Sequence, residues 1–368
     1  MIRRAVLVFL VVMGGCAGGG RDSLRHANDP VALHRSRSFA VHVQVQVAPV
    51  GEAPNNGVQL PVAAPDGAHV AWLVRQGPPV GPQDLLAGHP DSRMRLEIRP
   101  LAPEALPRVL CPLGASWPAF SPDGRYLAWV IDDGGRLELA RYDTRSGRTE
   151  RRSVPFLRVI MPSPASDGAS IAAIVETDDH PARRLAIIPW PDGPPQLAPA
   201  EPHVGRLMPR WTDDGRIVYL ETDGDGVYAG HWQPDRFGPE RLAPLAIGPT
   251  EFDLFQAVVA CGEPFSPDGR RLLYMSAELG GAVVTHLANG RREALFPAAT
   301  AACRFGDAFI VATSDRLCLH TTAADPAALV VRGPWIPLGS HGDTVCALTA
   351  GPHRGLFALR RIRVALEP

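Results

Sequence analysis

The chain has 368 residues, 45% of them apolar, and its 37 basic and 38 acidic residues leave a net charge of −1. That balance excludes a disordered chain and, by composition, a nucleic-acid-binding surface. Glycine (36) and proline (38) are spread along the whole length, which suits one fold with many turns.

In chain order, Arg3 and Arg4 precede an apolar run from Ala5 to Met13, and Gly14-Gly15-Cys16 follows. A basic start, a short apolar run and small residues form a secretory signal over residues 1–15, too short to span a bilayer. Cysteine directly after the small residues resembles the lipobox of bacterial lipoproteins, with Met13 where leucine is usual. The resemblance implies that Cys16 is acylated and becomes the mature N-terminus. Ala17 behind it, rather than aspartate, favours the periplasmic face of the outer membrane. The alternative is an ordinary signal peptide with a nearby cysteine. Residues 16–38, Gly-rich and then polar, are expected to tether the anchor to a single domain over 39–368.

That domain begins with Phe39-Ala-Val-His-Val-Gln-Val-Gln-Val47, an alternating strand that opens no repeat of its own. The repeats come next. Their clearest copy is Trp117-Pro-Ala-Phe-Ser-Pro-Asp-Gly-Arg-Tyr-Leu-Ala-Trp129, a turn between two alternating apolar segments and therefore a β-hairpin. Pro122 presets φ, Ser121 and Asp123 can bond nearby backbone, and Gly124 supplies positive φ. The turn aspartate returns at Asp66, Asp123, Asp167, Asp214 and Asp268, with a degenerate sixth at Asp307. The spacings of 57, 44, 47, 54 and 39 residues lie near the roughly 40–50 of a four-stranded propeller blade. Five residues before the aspartate stand Pro61, Pro118, Pro162 and Pro209; shared apolar slots hold Phe120, Trp211 and Phe265, then Trp72, Trp129, Leu220 and Tyr274.

The hairpin Phe309–Thr313 with Leu317–Thr321 continues the rhythm as a sixth blade, and Thr344–Thr349 with Leu356–Val364 as a seventh. The expected fold is all-β: a propeller of seven four-stranded antiparallel blades, with six as the alternative. The strand ending at Val47 is expected to lie outermost in the last blade and close the ring, removing exposed edges.

These hairpins resemble the TolB-type propeller repeat, a bacterial relative of WD-repeat propellers, over roughly Leu60 to the C-terminus. Repeats two and five are the sharpest matches. The resemblance implies a fold and leaves activity open, because propellers host many functions.

Candidate chemistry is sparse. The propeller-bearing peptidases need a Gly-x-Ser-x-Gly elbow, which the sequence lacks, so that class is excluded. No metal motif is present. Asp223-Gly-Asp225-Gly resembles part of a calcium loop but sits where a hairpin turn is required. The turn aspartates are read as structural. Among the scattered histidines, His341 and His353 are the pair that an axial site could gather for catalysis. Trp72, Trp129, Trp211 and Trp232 are read as core. Five cysteines follow Cys16, so at least one thiol stays unpaired; Cys261 and Cys303 could approach each other, and buried small apolar residues are the equal alternative.

The expected function is a monomeric, membrane-tethered envelope propeller that binds a protein partner without catalysis, needs no cofactor or metal, and binds no nucleic acid. Two alternatives stand beside it. One is a lyase or glycan-acting hydrolase with a histidine or metal site in the axial funnel. The other is a carbohydrate- or small-ligand-binding module, which predicts a funnel lined by aromatics.

Overall fold

The computed structural model describes residues 43–54, 60–76, 94–102, 105–132, 136–178, 180–201, 203–234, 238–248, 250–320, 328–351 and 356–366. The signal, Cys16, the whole tether and His353 lie outside them.

The local rule is the hairpin turn, and blade two displays it. The Ser121 hydroxyl donates to Asp123 Oδ1 (2.6 Å) and accepts from the Tyr126 amide (2.9 Å). Asp123 also accepts from the Arg125 amide at 3.2 Å, and Gly124 sits at φ +74°. A Cβ on Gly124 would stand 2.7 Å from Cγ of Asp66, so this turn also packs on the turn of blade one.

Each turn joins an inner strand to a second one, and two further strands complete the blade. Seven antiparallel sheets result, arranged in a ring. Blades one to four each have four strands; in blade two they are Ala115–Phe120, Tyr126–Asp132, Leu137–Asp143 and Thr149–Ser153. Second strands are buried on both faces, with Leu127, Ala128 and Trp129 fully enclosed. The polar outer strand Thr149–Ser153 faces solvent. Blade seven holds Trp335–His341, Thr344–Ala350 and Leu356–Leu366, with Val43–Pro54 antiparallel against the last of these as its outermost strand. The inner strand of blade seven packs against those of blades six and one.

Blade five departs from the pattern. Its regular strands are three, Arg271–Ser276, Gly281–His286 and Arg292–Pro297. Its inner segment is held by the Leu273 amide on the Pro264 carbonyl (2.7 Å), the Ser266 amide on the Arg271 carbonyl (2.9 Å), and a single Phe265–Leu272 bridge. Just before it, Cys261–Gly262 pairs in parallel with Ala301–Phe305, adding a fifth strand to blade six. Ahead of that runs a helix the strand pattern did not announce, Glu251–Val259, started by a Thr250–Asp253 capping box.

Candidate functional site: the axial funnel

The inner strands share a device that orients side chains toward the axis. In blades two, three and four the residue before the shared proline has a left-handed backbone: Trp117 (φ +55°), Met161 (+52°) and Met208 (+57°), followed by Pro118, Pro162 and Pro209. The ladder slips there, between Ser116 and Ala119, Ile160 and Ser163, and Leu207 and Arg210. Such bulges take a residue out of the ladder and re-aim its side chain. Positive φ is uncommon for non-glycine residues, so four copies mark a maintained feature. The fourth copy is Glu263 (φ +52°) before Pro264.

These residues line one cavity of about 200 Å³. Phe255, Val258 and Val259 of the helix form its floor, where Trp117 meets Phe255 edge to face with centroids 6.0 Å apart. Pro65, Pro122 and Pro267 of the hairpin turns form its mouth. The walls include Trp117, Phe120, Met161, Met208, Trp211 and Phe265. The charged side chains in this lining are Arg210 and Glu263.

The electrostatics of those two, and of Arg304 in blade six, are unusual. Burial pushes the Glu263 carboxyl up to about 7, although Arg304 and Arg210 pull it back. Burial draws Arg210 down to about 10 against the field of Glu263. Burial, helped by Arg271, does the same to Arg304, opposed by Asp268, Glu263 and Glu293. Arg304 is 8% exposed, and its Nε and Nη2, like Glu263 Oε1 and Trp211 Nε1, are buried without a hydrogen-bond partner. Titratable groups shifted by burial in a cleft are the usual mark of a functional site.

The residues singled out from sequence fall elsewhere. Asp66, Asp123, Asp167 and Asp268 each accept an amide two residues on, within their own turns. Asp214 accepts from Thr212 Oγ1 (2.6 Å) and Arg216 Nε (2.8 Å), and Arg216 holds its carboxyl down at about 2. His341 Nδ1 lies 3.0 Å from the Pro65 carbonyl, linking the turns of blades seven and one at the rim, and it does not line the funnel. His353 and Cys16 lie outside the described residues. Asp223 caps its own turn, accepting from the amides of Asp225 and Gly226 at 3.1 Å each. No group of three or more His, Cys, Asp or Glu able to hold a metal occurs among the described residues.

Cys111, Cys261, Cys303, Cys318 and Cys346 are free and buried, and burial pushes Cys261 and Cys346 up to about 12, which keeps them protonated. Trp129 and Trp232 are core, and Trp72 donates to Glu97 Oε2 (3.1 Å). Trp211 corrects the core reading: it is half-buried and faces the funnel. Arg210, Glu263 and Arg304 escaped the sequence reading. Aligning on the proline rather than the aspartate would have exposed Glu263 in a slot that otherwise holds Trp117, Met161 and Met208.

No protein-family model matches the sequence, and no curated protein is similar to it in sequence. Solved structures share the fold. An oligogalacturonate lyase in complex with manganese aligns with a TM-score of 0.57 at 13% identity, over 90% of this chain and 95% of that one. The β-propeller domain of the Trilobed protease from Pyrococcus furiosus gives 0.50 at 13% identity, over 83% and 95%. TolB from Acinetobacter baumannii gives 0.44 at 15% identity; this chain spans 66% of that structure, and 54% of a prolyl endopeptidase it also resembles. At these identities the likeness is one of fold: a seven-bladed propeller.

Proposed function

We propose that this chain is a lipid-anchored propeller of the cell envelope that works by binding, with its ligand site in the axial funnel. The basic, apolar and small-residue pattern ahead of Cys16 supports the anchor and the periplasmic face of the outer membrane. The observation that carries the site is the funnel lining: aromatic and methionine walls, a helical floor, and a few polar groups converging from different blades, which is the usual composition of a small-ligand site.

A protein partner calls instead for a broad exposed apolar patch. The large apolar side chains most exposed among the described residues are Leu106 and Val109, just before and on the outer strand of blade one, and Leu113 and Leu157, on the linkers between blades one to three, away from the funnel lining. A small ligand is therefore favoured over a protein scaffold. Among the described residues nothing favours the histidine-based lyase or hydrolase: His341 stands at the rim, and His353 lies outside them.

Two experiments test the reading. Palmitate labelling of cells should mark the wild-type protein and fail on Cys16→Ser; equal labelling removes the anchor. For the site, Met208→Trp places in blade four the residue blade two already carries at that slot, filling the funnel with little strain. A fragment library screened by thermal shift should yield hits on the wild type that Met208→Trp loses. Hits that survive in the variant place binding outside the funnel.

A further inference from the structure

Charged side chains in and beside the funnel lack hydrogen-bond partners. Arg210 and Arg304 both remain cations at neutral pH, and among the described residues Glu263 is the only carboxylate that faces Arg210. Arg210 feels Glu263 only through its field, with no side-chain hydrogen bond between them. Arg304 keeps two buried donors, and Glu263 one buried acceptor, without partners. Trp211 adds a buried N–H donor in the same lining. Unpartnered donors outnumber unpartnered acceptors, and while Asp268 and Glu293 also oppose Arg304, Arg210 has Glu263 as its single opposing charge. A buried charge without a partner costs several kcal/mol, on the order of what breaking a buried pair costs, so such a cluster is completed by something else.

Size and wall chemistry narrow the ligand. A cavity of about 150 Å³ lined by apolar side chains holds benzene, and the funnel measures about 200 Å³. One ring with a small head group fills that volume. A planar guanidinium matches a carboxylate with two parallel hydrogen bonds. On the reading of the funnel as a ligand site, we propose that the ligand is a small aromatic monocarboxylate, its carboxylate on Arg210 and its ring against Trp117 and Phe255.

Glu263 makes this binding pH-dependent. Arg210 faces it from blade four, Arg304 and the Cys303 thiol from blade six, and the backbone of Gly339 from blade seven, where a Cβ would lie 3.3 Å from Oε1. Protonation of Glu263 as pH falls through about 7 leaves Arg210 without an opposing carboxylate and strengthens anion binding. Ionisation above that pH weakens it.

The test is calorimetric titration of the full chain with benzoate and with its neutral counterpart, benzyl alcohol, at pH 6 and pH 8. Benzoate should bind at least about tenfold more tightly than benzyl alcohol at pH 6, and about tenfold more weakly at pH 8 than at pH 6. Arg210→Gln should cost benzoate about thirtyfold, as truncating one partner of a buried charge pair does, and leave benzyl alcohol within about twofold. Glu263→Gln should abolish the pH dependence, which keeps the proposal exposed if Arg210→Gln fails to fold. Equal affinity for the two probes, or benzoate binding indifferent to both variants, overturns the carboxylate and leaves the funnel as a ligand site. Failure of both probes also overturns it, and the Met208→Trp screen then decides the funnel separately.

Discussion

Blades two and five carry the closest copies of the repeat, yet they are built differently on the side that faces the axis. Their turns coincide: Ser121 and Ser266 each donate to the turn aspartate at 2.6 Å and accept from an amide five residues on at 2.9 Å. Their inner strands do not. Blade two runs a full strand, Ala115–Phe120, whose bulge offers Trp117 to the funnel. Blade five offers Glu263 at the same slot and gives up most of its inner ladder. Its entry is a helix, followed by a two-residue strand paired with blade six. The repeat keeps what the ring needs and varies where a ligand would sit.

The sharpest way to break this comparison is to put blade two into blade five. Gly262 occupies the position of Ser116, and a Cβ there would lie 2.2 Å from the Leu338 carbonyl oxygen. Gly262→Ser should cost about 3 kcal/mol or more by urea unfolding, the scale of an overpacked core. The reverse position should tolerate change: Ser116 Oγ is buried without a partner, so Ser116→Ala should be neutral or stabilising. Equal penalties would mean the two inner segments are equivalent after all.

The charge in blade five gives the next effect. Glu263 has its folded pKa raised above the ordinary 4.5 to about 7, so the folded state tolerates it best when protonated. The contribution of Glu263 to stability should be greatest below pH 4.5, fall as pH rises to about 7, and level off above, by about 3 kcal/mol at most. Glu263→Gln should flatten that part of the pH profile, and an unchanged profile would show the carboxylate to be solvated. Smaller again is Gly124→Ala, which combines φ +74° with the 2.7 Å approach to Asp66 and should cost about 1–2 kcal/mol. Smallest are Ser121→Ala and Ser266→Ala, about 1 kcal/mol each. They should agree within a few tenths, because the two turns are the same object.

The comparison also explains what could be read from sequence. Turn chemistry is local, carried by Ser, Pro, Asp and Gly at fixed offsets, so the first five blades were legible once the spacing was measured, while the last two lack that turn and left seven or six open. The helix Glu251–Val259 was less so, although Thr250 and Asp253 form its capping box and the 54-residue spacing from Asp214 to Asp268 leaves room for an insertion. The funnel was illegible for another reason. Which side chains reach the axis depends on bulges that move Trp117, Met161, Met208 and Glu263 out of strand alternation. An alternation rule applied across a bulge assigns the wrong face. The shared proline was visible in four repeats, and its meaning lay in the residue before it.

The most direct measurement is a crystal structure of the protein soaked with 4-iodobenzoate, with the iodine located by anomalous scattering. The iodine should lie in the funnel near Trp117 and Phe255, with the carboxylate on Arg210. Iodine found only on the outer strands or the blade linkers, with the funnel unoccupied, would contradict the placement of the ligand site on the axis.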